Sequence, residues 1–312
     1  MFSQNNFFVT KNYKLKEDIY NEYVNYSNYV SKLLLTNNTL EWRLKHIRDF
    51  LHYLSCNNIK LKDLKITNIY DYMQTLEKKS LKTREHRAVC IRLFLNYLYS
   101  KKITNFDGKD VFPKIKCYKE SSTISYYSKD EIIALINSVD IKEKNGKRDF
   151  IILLLFSKLG LRLNDVRKLR LDEISWKDNT IKIVQSKNNW INVLPFDNDI
   201  RYALIEYIKY ERSISNLPYV FLKDENSIYN YHLFYDVVNK YFIKAKIDTQ
   251  NKRHGPHSLR HSLGTSLMND NNSIYEISNI LGHSCVEDTK PYIKTNINEL
   301  KKISLEVPTW KN

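Results

Sequence analysis

The stretch KRHGPHSLRHSLGTSLMNDNNSIYEISNILGHSCVEDTKPYIKT, residues 252–295, holds four of the chain's eight histidines. Pro256 suits the first turn of a helix, where a missing N–H costs nothing. His257, Arg260 and His261 then stand at i, i+3 and i+4 and share one helical face, while Leu259, Leu263 and Leu267 are expected to pack inward. A second helix is expected over SIYEISNILG. An arginine flanked by imidazoles suits a phosphodiester, because the guanidinium offers planar paired donors and the imidazoles titratable ones. Two plainer readings compete: a hydrogen-bonded structural histidine cluster, and a metal site on His254, His257 and His261. A guanidinium among the ligands, with no carboxylate or thiolate to complete them, argues against a metal.

Upstream, the pattern is mixed. SKDE at 128–131 is a capping box opening the helix EIIALINSV. RDFIILLLFSKLG is apolar nearly all round and reads as a core helix ending near Gly160. TIKIV and WINVLPF read as strands of a hairpin around QSKNN. DIRYALIEYIKYERS and YHLFYDVVNKYFIKAK read as helices, and YVFL as a short strand. Residues 1–116 read differently, as an all-helical bundle. Leu44, Ile47, Leu51 and Leu54 repeat at helical spacing, as do Ala88, Ile91, Leu95 and Leu98. NIYDYMQTLEK adds a further helix. Arg84, Arg87 and Arg92 lie on the rest of the second of these helices and are candidate DNA contacts. Between the two regions, 117–127 belongs to a polar stretch without helical periodicity and reads as a linker, so the second domain spans 128–312. The expected fold class is mainly α with a small antiparallel β-sheet: a helical N-terminal bundle and a mixed α+β C-terminal domain.

Composition narrows the partner. A formal charge of +15 suits a polyanion, nucleic acid first and an anionic membrane surface second. The longest apolar run, IILLLF, is far short of a membrane span, and the N-terminus lacks a signal-peptide pattern. Cys56, Cys90, Cys117 and Cys285 form no CxxC pair, which fits a reducing compartment. A cytoplasmic protein is expected.

HGPHSLRH, then LGHS, then Tyr292 nine residues beyond His283, resembles the C-terminal signature of the tyrosine recombinase (phage integrase) family. LGLRLNDVRKL supplies Arg162 and Asp165 for the family's upstream arginine and acid. SKNNWINVLP supplies Lys187, eight residues before Pro195, for the hairpin lysine, with Lys182 as its competitor. The N-terminal bundle resembles the family's core-binding domain, and the C-terminal one its DNA breaking-rejoining catalytic domain. Four motifs in the right order carry more weight than any one of them. There are departures: Asp165 stands where glutamate is more frequent, Leu159 replaces a small polar residue, and the hairpin has no glycine.

The resemblance implies a mechanism. Tyr292 attacks a DNA phosphodiester and forms a 3′-phosphotyrosine, with no metal, ATP or other cofactor. Arg162 and Arg260 clamp the non-bridging oxygens, His257 and His283 donate hydrogen bonds or accept the phenol proton, and Lys187 protonates the leaving 5′-oxygen. Asp165 and His261 support them. The implied partner is double-stranded DNA, held by a homo-tetramer that exchanges C-terminal tails, with room for accessory DNA-bending proteins. Leu300, Ile303 and Leu305 in that tail fit equally a helix packed on its own domain. Two alternatives stand beside recombination: strand relaxation of the type IB topoisomerase kind, and a DNA-binding regulator with a vestigial site.

Overall fold

The computed structural model describes residues 15–112, 125–184, 191–250 and 252–282, together with 289 and 292. The chain divides into two compact units, residues 1–119 and 120–312. The expected linker at 117–127 spans that division, and its first part lies outside the described residues.

The first unit is helical, with α1 Glu17–Ser31, α2 Asn37–Cys56, α3 Ile66–Gln74, α4 Leu81–Ser100 and the short α5 Gly108–Val111. Thr36 and Ser80 cap α2 and α4, each side chain accepting the backbone N–H three residues on, at 3.4 and 3.3 Å. Ile47, Phe50, Leu51 and Leu54 on α2 meet Ile91, Phe94, Leu95 and Leu98 on α4 in a closed core. Each fully buried side chain of this size contributes about 1.5–3 kcal/mol. The helical spacing of these residues is therefore what builds the bundle. Arg87 ties the helices together: it pairs with Asp49 of α2 at 3.1 Å and donates to the Tyr72 hydroxyl of α3 at 2.7 Å.

The second unit contains α6 Lys129–Asn137, α7 Gly146–Ser157, α8 Leu163–Arg167, α9 Asn198–Tyr210, α10 Tyr231–Lys244, α11 Pro256–Asn269 and α12 Ile274–Leu281. Three strands, β1 Ile174–Ser175, β2 Thr180–Val184 and β3 Ile191–Pro195, form an antiparallel sheet in that order. Its alternation puts Ile181, Ile183 and Leu194 on the core side. The expected capping box at Ser128 is present, with Ser128 N–H donating to Glu131 at 2.7 Å and Glu131 N–H to Ser128 Oγ at 3.1 Å. α7 is buried from Ile151 to Ser157, as its all-round apolar sequence requires. The strand expected over YVFL is broken in two: Tyr219 forms an isolated antiparallel bridge with Arg170, and a regular strand begins only at Leu222. β4 is Leu222–Asp224, pairing with β5 Ser227–Ile228, while Val220 and Phe221 are buried core residues before it. Those apolar side chains serve packing, and the polar Asp224–Ser227 turn closes the hairpin.

A buried ionic knot anchors α7. Asp149 accepts from Arg148 Nε at 2.9 Å and Nη2 at 2.6 Å, from the Tyr241 hydroxyl at 3.2 Å and from Lys240 at 3.4 Å. α7 and α11, packed side by side, position the residues of the site. Among the described residues no helix is long and apolar enough to cross a membrane.

Candidate active site

The site is organised by the last turn of α12. Backbone carbonyls at a helix C-terminus lack intrahelical partners and carry the negative end of the helix dipole. Here side chains from three other elements reach them. Arg260 of α11 donates from Nη2 to the Leu281 carbonyl at 2.5 Å, and from Nη1 to the Gly160 carbonyl at 2.5 Å. Arg162, immediately before α8, donates from Nη2 to the Gly282 carbonyl at 2.8 Å. Asn192 of β3 donates from Nδ2 to the Asn279 and Ile280 carbonyls, at 3.3 Å each. The two guanidinium groups predicted to face a phosphate are thus brought together on one cap.

Gly160 makes that approach feasible. It has φ +59°, and a Cβ there would lie 2.8 Å from Leu263 and 2.9 Å from Leu281. Asp165 sits beside both arginines. Burial raises its carboxyl above the usual range, and the charges of Arg162 and Arg260 work against that rise. Arg260 is itself 5% exposed. Burial, with the Arg162 charge, brings its guanidinium down to about 10, so it stays cationic at neutral pH. A small void lies between them, lined by Arg162, Asp165, Ile183, Asn192, Leu194 and Arg260 among others.

Tyr292 is 1% exposed and packs with Ile277 and Leu281 of α12 and with Leu263 and Leu267 of α11. Its hydroxyl lies 3.0 Å from His261 Nδ1. The ring fits because residue 264 is glycine: a Cβ there would meet three Tyr292 ring carbons at 2.7–3.0 Å. Desolvation, then the positive neighbours His257, Arg260 and Arg253, lowers His261 to about 4, so its ring is neutral at pH 7. His257 reaches solvent one turn earlier. The protein around its ring, and after that Arg260 and Arg162, holds it below the ordinary histidine value. Outward from His257 runs a cleft of about 570 Å³ lined by Tyr235, Lys252, Arg253, His254, His257 and His261. Among the described residues no three His, Cys, Asp or Glu side chains gather as metal ligands would.

Arg162, Asp165, His257, Arg260, His261 and Tyr292 are therefore gathered in one region. Lys187 and His283 lie outside the described residues. Lys182 is on β2, opposite Val193, while its neighbour Ile183 is opposite Asn192. Since Ile183, Asn192 and Leu194 line the void beside the arginines, alternation points Lys182 to the other face of the sheet. In the first unit, Arg84, Arg87 and Arg92 are each half-buried on α4, with Arg87 engaged by Asp49 and Tyr72. Sequence reasoning missed Asn192 and Gly264. Neither carries a charge or a catalytic side chain, and only their neighbours across the fold give them meaning.

The sequence profile of the phage integrase family matches residues 126–299. A putative integrase/recombinase of Sinorhizobium fredii, y4rA, is 27% identical over 267 residues, 84% of this chain and 64% of its own length. The chain thus spans just under two thirds of that protein. A tyrosine recombinase of Pseudothermotoga lettingae is 26% identical, covering 86% of this chain and 92% of the relative. Among solved structures, XerH site-specific recombinase bound to palindromic difH substrate in a post-cleavage complex aligns with TM-score 0.70 at 17% identity. That alignment covers 85% of this chain and 78% of XerH. A lambda integrase dimer bound to a COC′ core site aligns with TM-score 0.66 at 13% identity, over 94% and 99% of the two chains. These likenesses show a shared fold, mostly helical with small antiparallel sheets.

Proposed function

Because the chain belongs to the phage integrase family, we propose that it is a site-specific DNA recombinase that cleaves and rejoins strands through a phosphodiester on Tyr292. The observation that carries this reading is the convergence of Arg162, Arg260, His261 and Tyr292 around the end of α12.

The chemistry is a transesterification. The Tyr292 oxygen bonds to phosphorus, the bond from phosphorus to the 5′-oxygen breaks, and the products are a 3′-phosphotyrosine and a free 5′-hydroxyl. The phenol loses one proton and the leaving oxygen gains one, so no metal or nucleotide is needed. A phenol has an ordinary pKa near 10 and requires a partner for its proton. In its seat the phenol is held by His261, whose neutral ring lies 3.0 Å from it, and once the ring meets the phosphate His257 or His283 takes the proton. Arg162 and Arg260 exchange their backbone carbonyl acceptors for the non-bridging phosphate oxygens, which bind a cation more strongly. His257, at the solvent edge, and His283 donate to the same phosphate, and Asp165 keeps the guanidiniums oriented. Lys187 protonates the 5′-oxygen. The facing of Lys182 away from the arginines supports Lys187 over it.

Duplex DNA is the partner. The +15 charge and the basic cleft beside His257 support contacts to its backbone. Arg84, Arg87 and Arg92 extend the contact in the first unit. Assembly is a homo-tetramer on DNA with exchange of the C-terminal tail, whose residues 293–312 lie outside the described ones. The deciding experiment mixes the protein with a nicked suicide substrate and separates covalent adduct on a denaturing gel. Wild type is expected to form adduct and Tyr292→Phe to form none while still binding DNA. Adduct formation by Tyr292→Phe would refute the nucleophile assignment.

A further inference from the structure

The cleft that runs outward from His257 has cationic and imidazole side chains in its wall and no carboxylate. Its two long basic side chains differ in state. Lys252 is engaged: its Nζ reaches Glu131 at 3.0 Å and lies 4.8 Å from the centre of the Tyr127 ring. Arg253 is exposed, and its guanidinium has no ion pair with a described residue. The main chain at Arg253 is nevertheless held from both sides. Its N–H donates to Ser125 Oγ at 2.9 Å, and its carbonyl accepts from the Tyr127 hydroxyl at 3.2 Å. Tyr127 is buried, and its own N–H donates at 2.8 Å to Ser262 Oγ on α11, the helix that carries His257, Arg260 and His261. The loop in front of α11 is thus tied, through Tyr127, to the helix of the proposed chemistry. After burial, His257 and Arg260, the Arg253 charge also contributes to the lowering of His261.

We infer that Arg253 binds a phosphate directly flanking the scissile one on the same strand, so that the backbone is held at two successive phosphates instead of one. The inference rests on the proposed reading, in which Arg162 and Arg260 hold the scissile phosphate. A guanidinium on a fixed main chain, open to a cleft without carboxylates, is arranged for an anion, and its paired N–H donors suit two non-bridging oxygens. The cleft starts at His257, so the anion it takes is continuous with the one beside that ring. A single phosphate contact leaves the strand free to rotate about that phosphorus. A second contact one nucleotide away removes the rotation and sets the direction from which the Tyr292 oxygen must arrive.

The test neutralises phosphates one at a time. A methylphosphonate, which replaces one non-bridging oxygen by a methyl group, is placed in turn at the two positions on either side of the scissile phosphate of the suicide substrate. Affinities are read in a Tyr292→Phe background, where no strand is cut. Arg253→Ala leaves both main-chain ties in place. On the all-phosphate duplex it is expected to bind about 10-fold more weakly and to lower the log–log salt slope by about 0.9. Without Arg253→Ala, the protein is expected to lose a similar factor when one immediately flanking phosphate is neutralised. Arg253→Ala is expected to lose nothing further at that position and to respond normally at the others. Arg253→Lys, which keeps the charge and lacks the fork, is expected to recover part of the loss. With Tyr292 restored and protein saturating, Arg253→Ala is expected to form adduct about 10-fold more slowly. Undiminished sensitivity of Arg253→Ala at both flanking positions, unchanged affinity for the all-phosphate duplex, or a wild-type adduct rate at saturation overturns the inference. Absence of adduct from wild type would instead bring down the recombinase reading, and the affinities would still decide whether Arg253 holds a single phosphate.

Discussion

The Tyr292 hydroxyl and His261 Nδ1 stand 3.0 Å apart inside the protein, with the tyrosine ring resting against the bare Cα of Gly264. A phenol that is 1% exposed meets no phosphate in this arrangement. The proposed attack on a phosphodiester therefore requires the ring to leave this seat first. Gly264→Ala should expel it, since a methyl would approach three ring carbons at 2.7–3.0 Å. Nitration of Tyr292, followed by mass analysis of its peptide, is expected to be faster in the variant than in wild type. A loss of about 1–3 kcal/mol in stability should accompany it. Unchanged nitration would mean that the ring tolerates the methyl in place.

Arg260→Lys should not preserve activity. Arg260 addresses the Gly160 and Leu281 carbonyls through separate nitrogens of one plane, and a single ammonium has no such fork. Adduct formation is expected to fall about 10²-fold or more, with DNA affinity little changed. Equal losses of binding and cleavage would make Arg260 a general DNA contact instead.

Asp149→Ala tests the buried ionic knot at the start of α7. Removing the carboxylate leaves Arg148, 8% exposed, without its charge partner and strips an acceptor from Tyr241. The expected loss is about 3–5 kcal/mol, read as a lower midpoint in chemical denaturation. Replacement of both partners by apolar residues of similar volume should be far milder.

Stability should also fall with acidity. Burial lowers His46 to about 4, with the Arg87 charge adding to the effect, and its Nδ1 has no hydrogen-bond partner among the described residues. Trp42 packs edge-on against the His46 ring at 4.4 Å. The unfolded chain takes up this proton near pH 6.5 and the folded chain only near 4. The stabilisation is thus complete above about 6.5, declines as pH falls toward 4, and is constant below that. Its size is on the order of 1–3 kcal/mol. His261, also held at about 4, adds a slope of the same sign in the second unit. Denaturation curves between pH 7 and 4 should show the decline, and His46→Leu should flatten the part belonging to the first unit. A wild-type curve flat across that range would contradict the burial argument.

Much of the fold was legible from local pattern. Helical spacing located α2, α4 and α11, and the capping box at Ser128 marked where the second helical region opens. Of the site, the sequence spoke for Arg162, Arg260 and Tyr292 through motif spacing and for Asp165 by proximity to Arg162. It left Lys182 and Lys187 unresolved, because both suit a hairpin. Strand register, a property of the paired partner, turned Lys182 to the opposite face. YVFL was right only in part for a related reason: Tyr219 bridges Arg170 and Leu222 opens β4, while Val220 and Phe221 between them are fixed by core packing.

What the chain alone determined is periodic: a residue's place on a helix face or strand face follows from its neighbours within a turn or two. That is how His257, Arg260 and His261 came to share one side of α11. What only the tertiary structure decided is which groups meet across long separations: Arg162 with a carbonyl 120 residues away, Asn192 with two more 87 and 88 away, and His261 with a tyrosine 31 residues on. The reason lies in the helix end. Its terminal carbonyls accept from whichever donors the packed core delivers, and no local pattern records which those will be.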